Sequence, residues 1–375
     1  MSKPSGFWRR LLGLAPKPPP LAVGISSTTP IGVRAAPGAT TALGAARFRR
    51  QRELGRGSMG AVYLATDTLT HAQVALKMLA LQREFSAEDL IDVRQRFMRE
   101  ASAAGQLQHP DILQVLDAGQ DGDDAWIAME YVRGQDLSHC TRPGHLLPVT
   151  EVLHLAIRLA RALDYAHRRG VVHRDIKPAN VMFNRASGVL KVMDFGIARI
   201  ADGSRTRTGL VLGTPSFMSP EQLSGLKVDG RSDLYSLGVM LYQLLTGHLP
   251  HQSDSMAMLM YDIANQAPPD VRHYRPELPE ALALVLALAL EKRPELRYPN
   301  GEQMAQDLVA VLAAVEASMR ALDAADESAT WHPLRAAEAM SAKDPHFDSF
   351  FAQTQRLDAF EPGQNPAPSS PHPKS

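Results

Sequence analysis

Three glycines in a short turn are the first residues of this sequence whose types and spacing indicate chemistry. The turn runs Gly-Arg-Gly-Ser-Met-Gly from Gly55 to Gly60. Because glycine has no side chain, backbone N–H groups at Gly55, Gly57 and Gly60 are able to approach phosphate oxygens closely. A dinucleotide-binding turn would be followed at once by a helix, whereas Ala61 to Leu64 reads as a strand. The pattern therefore predicts a turn that lies over the phosphates of a nucleotide.

A lysine on a predicted strand is the second candidate. In Val74-Ala75-Leu76-Lys77 the alternation of a strand places Ala75 and Lys77 on the same face. The simplest interpretation of one such lysine is a solvated surface residue. However, Glu100 lies on a predicted helix whose apolar positions follow helical spacing, and this spacing turns Glu100 inward. We therefore predict that Glu100 pairs with Lys77 and fixes it against the α- and β-phosphates.

A polar run and a later triplet complete the set of motifs. The run is His-Arg-Asp-Ile-Lys-Pro-Ala-Asn from His173 to Asn180, and the triplet is Asp194-Phe195-Gly196. In this order along the chain, the motifs resemble those of the protein kinase superfamily, with Val-Ala-Leu-Lys in place of V-A-I-K and Ser219-Pro220-Glu221 in place of A-P-E. The sequence is identified as a member of the eukaryotic-like (Hanks-type) serine/threonine protein kinases, and its motif residues are most similar to those of bacterial members.

The resemblance implies a role for each polar residue of the motifs. Asp175 would accept or orient the proton of the substrate hydroxyl, and Lys177 would neutralise charge on the γ-phosphoryl group of ATP. Asn180 and Asp194 would hold Mg²⁺, a hard cation that prefers oxygen ligands, with Mn²⁺ as the alternative ion. A lysine at position 177 resembles the serine/threonine branch, because tyrosine kinases differ there. The implied reaction is transfer of the γ-phosphoryl group to Ser or Thr hydroxyls of proteins.

The resemblance also implies an apolar slot for adenine. The segment Glu130-Tyr131-Val132 resembles the hinge between two lobes, where the Glu130 carbonyl and the Val132 amide would pair with adenine. Asp136 would lie near the ribose. Buried packing explains each apolar side chain equally well on its own, so only the whole set predicts a pocket. Its walls would be Leu54, Val62 and Ala75 above the ring, Met182 below it and Met129 behind it.

Regulation is expected in the segment between Gly196 and Ser219, where hydroxyl-bearing residues lie among arginines. In this family an Arg before the catalytic Asp marks kinases that are activated by phosphorylation of this loop, so Arg174 would pair with the added phosphate. We expect autophosphorylation at Thr206 or Thr208. The resemblance gives Thr214 a structural role near Asp175, although an acceptor role is the alternative.

Three more residues resemble supports of the catalytic loop in this family. Glu221 and Arg297 would form a buried ion pair in the larger lobe. Asp233, at the head of an apolar helix, would anchor the backbone of the catalytic loop. None of the three is expected to touch ATP.

The order of elements predicts an α+β, bilobal protein-kinase fold. From Phe48 onward, short extended segments are separated by Gly and Asp turns and interrupted by one helix, which Ser86 is expected to cap. After Gly134 the pattern becomes helical, and Leu234 to Leu245 is apolar on nearly every side, as in a helix at the centre of a lobe. We predict a small antiparallel sheet with one key helix, then a larger helical lobe, over residues 48–316.

The two ends of the chain differ from this domain. Residues 1–47 carry basic but no acidic residues and are expected to form a flexible arm, either a plain leader or a docking segment around Trp8. Residues 317–375 are expected to be partly helical and then disordered. The apolar residues Phe347, Phe350 and Phe351 within them would either pack on the domain as a short helix or dock on the small lobe or a partner.

Composition narrows the function classes. Hydrophobic residues make up 45% of the chain and charged residues 21%, which is typical of a globular protein. The formal net charge is zero, so nothing in it favours nucleic acid as a partner. The longest apolar stretch, Leu278 to Leu290, is too short to span a bilayer. The single cysteine, Cys140, cannot form an intramolecular disulfide, which favours a reducing compartment and hence the cytoplasm.

Two alternatives compete with an active protein kinase. A pseudokinase, which would serve as a nucleotide-binding scaffold, predicts the loss of a catalytic residue, yet the whole catalytic set is present. A small-molecule phosphotransferase is disfavoured because Gly213 to Gln222 resembles a platform for a peptide substrate. The expected partners are therefore proteins with Ser or Thr acceptors, and a second copy of the chain for autophosphorylation in trans.

Overall fold

The computed structural model describes residues 44–57, 60–85, 88–121, 124–195 and 215–329 of the 375-residue chain. The chain divides into two compact units, residues 1–315 and residues 316–375. The first unit contains both sheets and all of the candidate site residues that the structure describes. The described part of the second unit is helical.

An antiparallel sheet begins the first unit, with its five strands in the order β1-β2-β3-β5-β4. Its central strands are rich in apolar residues, and β5 is buried from Ala125 to Met129. One apolar cluster, around Ile127 and Phe97, covers one face, and a second cluster, around Trp126 and Phe48, covers the other. The five strands predicted from the sequence are confirmed: β1 (Phe48–Gly57), β2 (Gly60–Asp67), β3 (Gln73–Leu79), β4 (Val115–Asp121) and β5 (Asp124–Glu130).

Two helices lie between β3 and β4, namely α1 (Leu81–Glu84) and α2 (Leu90–Gly105). The residues of α2 that are buried against the sheet are the four that helical spacing selects, Val93, Phe97, Ala101 and Ala104. The predicted cap, Ser86, lies outside the described residues, and α2 begins at Leu90. Phe85 is buried in an extended conformation between the helices, so its burial against the sheet interrupts the helical path.

A short turn before β1 ties the chain to the sheet. The turn is the 3-10 segment Gly44–Arg47, in which Ala45 is buried. Arg47 donates to both carboxylate oxygens of Asp67 at 2.8 and 2.6 Å and to Asp117 at 2.9 Å. Its hydrogen bonds hold the pKa of Asp67 well below the usual range. The last residues assigned to the basic arm therefore contribute to the packing of the small lobe.

The larger lobe is mainly helical and is built around α5, in which nearly every residue is buried. This confirms the prediction of a helix at the centre of a lobe. No helix in the described ranges is both long and apolar enough to cross a membrane. The helices are α3 (Val149–His167), α4 (Pro220–Leu223), α5 (Gly230–Thr246), α6 (Met256–Asn265), α7 (Glu280–Ala289) and α8 (Gly301–Ala329), and the second sheet contains β6 (Gln135–Asp136), β7 (Val181–Asn184) and β8 (Val189–Val192).

The segment after α2 is fastened to β8, the strand that leads into the Asp194 triplet. Ile112 and Val192 form a parallel bridge, and the N–H groups of Leu113 and Val192 donate across it at 2.9 Å each. Lys191 on β8 also pairs with Glu130 at the end of β5, at 2.6 Å. These contacts fix the position of β8, and of the residues that lead from it to Asp194, relative to α2 and to the end of β5.

Candidate active site

The glycine-rich turn joins β1 to β2, as predicted. Gly57 pairs with Gly60 at the end of the hairpin, and β2 continues as a strand, so no helix follows the turn in the way that a dinucleotide-binding turn requires. A Cβ atom at Gly60 would lie 1.9 Å from the carbonyl oxygen of Met78 on β3. Only glycine fits at this position without moving the backbone. Ser58 and Met59 at the tip lie outside the described residues.

Lys77 reaches across the cleft to Asp194. Its ammonium nitrogen lies 2.8 Å from each carboxylate oxygen of Asp194, and the two side chains are 19% and 28% exposed. Burial raises the pKa of Asp194, but the charge of Lys77 outweighs it and the pKa is lowered, so Asp194 is ionised at neutral pH. Glu100 is half-buried on α2, and its pairing with Lys77 stays a prediction.

Asp175 is held between two side chains of the same loop. Lys177 Nζ lies 3.0 and 2.8 Å from its two carboxylate oxygens. Asn180 Nδ2 donates to Asp175 Oδ2 at 2.8 Å and to its backbone carbonyl at 2.7 Å. Because these contacts come from both sides, the orientation of the carboxylate is fixed before a substrate arrives.

The same contacts leave an oxygen of Asn180 for a cation. Since Nδ2 of Asn180 is bound to Asp175, Oδ1 is the atom of this amide that could bind a cation. Together with the ionised carboxylate of Asp194, it offers only oxygen atoms, which are the ligands that Mg²⁺ prefers. The residues therefore fit a hard divalent cation that shares its remaining ligands with phosphate. No cluster of three or more His, Cys, Asp or Glu residues that could hold a metal occurs in the described part of the chain.

A buried aspartate holds the backbone of the catalytic loop, as the sequence predicted. Asp233 accepts from the N–H groups of His173 at 2.8 Å and Arg174 at 2.7 Å, and it pairs with His167 Nε2 at 2.7 Å. Arg174 has φ +70° and Asp194 has φ +61°, which are left-handed conformations that cost non-glycine residues roughly 1–2 kcal/mol each. Asp233 therefore stabilises a strained segment beside Asp175.

His173 and Phe195 have roles that we did not assign from the motifs. His173 is fully buried, and its Nδ1 accepts from the N–H of Asp175 at 3.2 Å. Its Nε2 must then carry the proton, which it donates to the carbonyl of Met193 at 2.6 Å. The rings of Phe195 and His173 pack edge to face with their centroids 4.6 Å apart, and Phe195 lines a small apolar pocket together with Ala101 and Ala104 of α2. The two motifs are thus joined to each other beside Asp175 and Asp194.

The predicted adenine slot is partly assembled. Val62, Ala75, Met129 and Val132 belong to one apolar cluster, and Ala75 pairs directly with Met129 across β3 and β5. The other predicted wall residues lie apart from this cluster: Met182 pairs with Asp136 in the second sheet, and Leu54 is 36% exposed on β1.

Two polar residues of the slot have structural partners. Asp136 accepts from the N–H of Ser138 at 2.9 Å and caps the following turn, so its contact with a ribose stays a prediction. The Glu130 carboxylate accepts from the N–H of Gln114 at 2.8 Å besides pairing with Lys191. The backbone groups of Glu130 and Val132, not their side chains, are the predicted adenine contacts.

The ion pair predicted below the site is present and buried. Arg297 donates to both carboxylate oxygens of Glu221 at 2.7 Å, and the Arg297 side chain is fully buried. Ser232 donates to the same carboxylate at 2.5 Å. Burial opposes the ionised form of Glu221, yet the bonds from Arg297 and Ser232 lower its pKa. The pair anchors α4 in the larger lobe.

Gly230→Ala is expected to impair the support of the catalytic loop. A Cβ atom at this position would lie 2.5 Å from Nδ1 of His167, so the ring must move and its bond to Asp233 must lengthen. We expect a loss of about 1–3 kcal/mol in the free energy of unfolding, as in other overpacked sites, together with reduced activity. Gly105→Ala is the matched control, because a Cβ there meets no atom within 4 Å. Equal thermal unfolding midpoints for the two variants would contradict this prediction.

The predicted phosphorylation sites, Thr206 and Thr208, lie outside the described residues. The same is true of Thr214 and of Gly196 in the triplet. Arg174, the predicted phosphate partner, is described and lies directly before Asp175.

Comparisons with known proteins agree with this geometry. The protein kinase domain family matches residues 48–321. The chain is 40% identical over 288 residues to serine/threonine-protein kinase PksC of Streptomyces coelicolor, covering 74% of this chain and 51% of PksC. It is 40% identical over 273 residues to serine/threonine-protein kinase PknJ of Mycobacterium tuberculosis, covering 71% of this chain and 46% of PknJ. The chain therefore spans about half the length of these curated relatives.

A solved structure shows the same fold. The crystal structure of the PknI kinase domain of Mycobacterium tuberculosis aligns with a TM-score of 0.58 and 33% identity, covering 74% of this chain and all of the PknI domain. The α+β bilobal architecture predicted from the sequence is thereby confirmed. On its fold, its motifs and these relatives, the chain belongs to the protein kinase family, among the bacterial Hanks-type serine/threonine kinases.

Proposed function

We propose that this protein transfers the γ-phosphoryl group of ATP to Ser or Thr hydroxyls of other proteins. The observation that carries the proposal is the assembly of Lys77, Asp194, Asp175, Lys177 and Asn180 with their polar groups engaged with one another. Phosphoryl transfer requires positioning and charge neutralisation more than covalent chemistry, and this set supplies both. The names of the relatives support the serine/threonine class, as does Lys177.

The side chains divide the work between them. Asp175 is oriented to accept the hydrogen bond, and finally the proton, of the attacking hydroxyl. Lys177 lies beside it and would offset the negative charge on the transferred group. Lys77 would contact the other phosphates of the nucleotide while holding Asp194 in place. A divalent cation held by Asn180 and Asp194 would neutralise phosphate charge, and we propose that this ion is Mg²⁺, with Mn²⁺ as the alternative.

An active enzyme fits this site better than a nucleotide-binding scaffold. A scaffold needs only the apolar slot and the glycine-rich turn, and it would not require Asp175 to be held by two side chains. The left-handed backbone of Arg174, which Asp233 holds by accepting from the N–H groups of the loop, would also be costly to keep without a function. The scaffold remains the alternative function, and ATP binding without phosphoryl transfer would indicate it.

We further propose activation by autophosphorylation at Thr206 or Thr208, in trans between two copies of the chain. Arg174 supports the proposal, since its position beside Asp175 would let a phosphate act directly on the catalytic loop. Alanine at both threonines should abolish activation. Unchanged activity and unchanged phosphate incorporation in that double variant would refute it. A cytoplasmic location remains an expectation from the single cysteine.

Transfer of radiolabelled phosphate from ATP with Mg²⁺ tests the proposed activity. Wild type and Asp175→Asn would be compared alone and with a generic basic acceptor protein, followed by identification of the labelled amino acid. We expect label on Ser or Thr with the wild type and a reduction of at least about 100-fold in the variant, which is the low end for loss of a general base. ATP binding without any transfer by the wild type would favour the scaffold.

A further inference from the structure

Gln222 connects α4 to the catalytic loop. Its Nε2 donates to the backbone carbonyl of Arg174 at 2.8 Å, although the two residues are 48 positions apart in the chain. The accepting carbonyl belongs to the peptide bond that joins Arg174 to Asp175. The contact therefore bears on the backbone immediately before the proposed base.

The orientation of the Gln222 amide is fixed by a second set of bonds. Its Oε1 accepts from the N–H and from the hydroxyl of Ser219, both at 3.0 Å. The N–H of Gln222 donates back to the Ser219 hydroxyl at 3.4 Å, which completes a capping box at the start of α4. Because Oε1 is occupied by donors, Nε2 must face Arg174.

The support behind Gln222 is rigid. Ser219 is fully buried, and the neighbouring residue, Glu221, is bound by the buried Arg297. Because its neighbours are buried and bound, the Gln222 side chain has a fixed position and can in turn fix the Arg174 carbonyl that it contacts.

The peptide group between Arg174 and Asp175 is held on both sides. Gln222 binds its carbonyl, while its N–H, that of Asp175, donates to His173 Nδ1 at 3.2 Å. The preceding peptide is held by Asp233 through the N–H of Arg174. Without the bond from Gln222, this carbonyl would lose its anchor at a residue whose φ is already +70°. The Asp175 side chain would then keep its bonds to Lys177 and Asn180 but lose one of the restraints on the backbone that carries it.

We propose that Gln222 is a positioning residue, which sets the orientation of Asp175 through the carbonyl of Arg174. The inference rests on the proposed kinase activity and extends it to a residue that touches neither ATP nor the reacting hydroxyl. It also makes α4 a direct mechanical link to the base, so a displacement of Ser219 would reach Asp175 through a single side chain.

Two substitutions separate this role from simple packing. Gln222→Met keeps the length of the side chain but removes its donor and acceptor. Gln222→Glu keeps an acceptor for Ser219, but its ionised form has no proton to donate to Arg174, whereas its protonated form regains one. Ser224→Ala is the matched control, since the Ser224 hydroxyl donates at 2.8 Å to the carbonyl of Pro220 within the same helix and does not reach the loop.

The steady-state rate constants of wild type and variants would be measured with a protein substrate. We expect Gln222→Met to lower kcat about 10- to 100-fold, as small displacements of catalytic groups do, with KM for ATP within about twofold of wild type. Gln222→Glu stays ionised at pH 7 to 8 and keeps the acceptor for Ser219, so its kcat should fall by a similar factor through loss of the donor alone. Ser224→Ala should match wild type.

Three results would overturn the inference. A kcat of Gln222→Met within twofold of wild type would show that the bond does not orient Asp175. A loss of kcat with an equal rise in KM for ATP and a large fall in thermal midpoint would show a general structural role. A kcat of Gln222→Glu within twofold of wild type at pH 7 to 8 would show that the donor is irrelevant. Absence of transfer by the wild type would instead refute the proposed activity, and this inference with it.

Discussion

Replacing Lys77 with methionine will reduce phosphoryl transfer by at least about 100-fold, the scale expected when one charged group that stabilises the transition state is removed. The substitution removes two interactions of the Lys77 ammonium group. The variant has no cation to contact the nucleotide phosphates, and Asp194 loses the ammonium group that lies 2.8 Å from both of its oxygens. Initial rates of transfer to a protein substrate at saturating ATP would measure the effect.

The same variant will change how stability depends on pH. In the wild type the pKa of Asp194 is lowered, so its ionised form stabilises the fold above the pKa of the unfolded chain, and this contribution is lost as pH falls. Without Lys77, burial is the largest remaining influence and raises that pKa. In the Lys77→Met variant, the ionised carboxylate of Asp194 then destabilises the fold at neutral pH. Protonation at lower pH removes this destabilisation. The gap in thermal midpoint between wild type and Lys77→Met should therefore be larger at pH 8 than at pH 5.

Lys227→Met is the control for both measurements, because Lys227 is exposed just after α4. Lys227→Met should keep the activity of the wild type, and the difference between its thermal midpoint and that of the wild type should not vary with pH. If the gap for Lys77→Met is the same at pH 5 and pH 8, then Lys77 is not what keeps Asp194 ionised. If transfer by Lys77→Met stays within tenfold of wild type, the proposed role of Lys77 is wrong.

Much of the fold could be predicted because its signals are local. The short apolar runs of β2, β3 and β5 between turns and the spacing of Val93, Phe97 and Ala101 on α2 are properties of short windows, and the structure buries most residues of those runs and all three helix positions. The first turn of α2 could not be predicted in the same way. Ser86 satisfies a local capping pattern, but the burial of Phe85 against the sheet is a tertiary effect that capping propensity does not contain.

The site residues were found by motif, whereas their partners were not. The pairing of Lys77 with Glu100, which sequence spacing offered, stays a prediction, and no spacing indicated the bond of Lys77 to Asp194, which is 117 positions away. Likewise, His167 on α3 pairs with Asp233, which holds the catalytic loop, and Gln222 on α4 donates to the loop itself, and no pattern around either residue indicates such a contact. Pairing over such separations depends on how the helices pack, which is not encoded in any short window.

Glu221 and Arg297 are an exception, as is Asp233 with the catalytic loop, since these long-range contacts were inferred correctly from the resemblance to other kinases. The contact of Glu221 with Arg297 is bidentate at 2.7 Å and closed to solvent. A contact that the family resemblance identifies in this way is expected to matter for folding rather than for chemistry, because neither residue faces the cleft. That distinction can be measured.

Arg297→Met will therefore lower the free energy of unfolding by about 3–5 kcal/mol, because it leaves the Glu221 carboxylate buried without its cationic partner and with Ser232 as a side-chain donor. Loss of expression as soluble protein at 37 °C is the extreme form of this result, and urea unfolding at lower temperature would measure it. Arg231→Ala is the control, since Arg231 pairs with Asp229 in a partly exposed contact expected to contribute about 0–1 kcal/mol.

Glu221→Gln combined with Arg297→Met should recover part of the loss, because it removes the unpaired charge. A double variant no more stable than Arg297→Met alone would show that lost packing around Tyr235, over which Arg297 lies at 4.8 Å, is the larger cause.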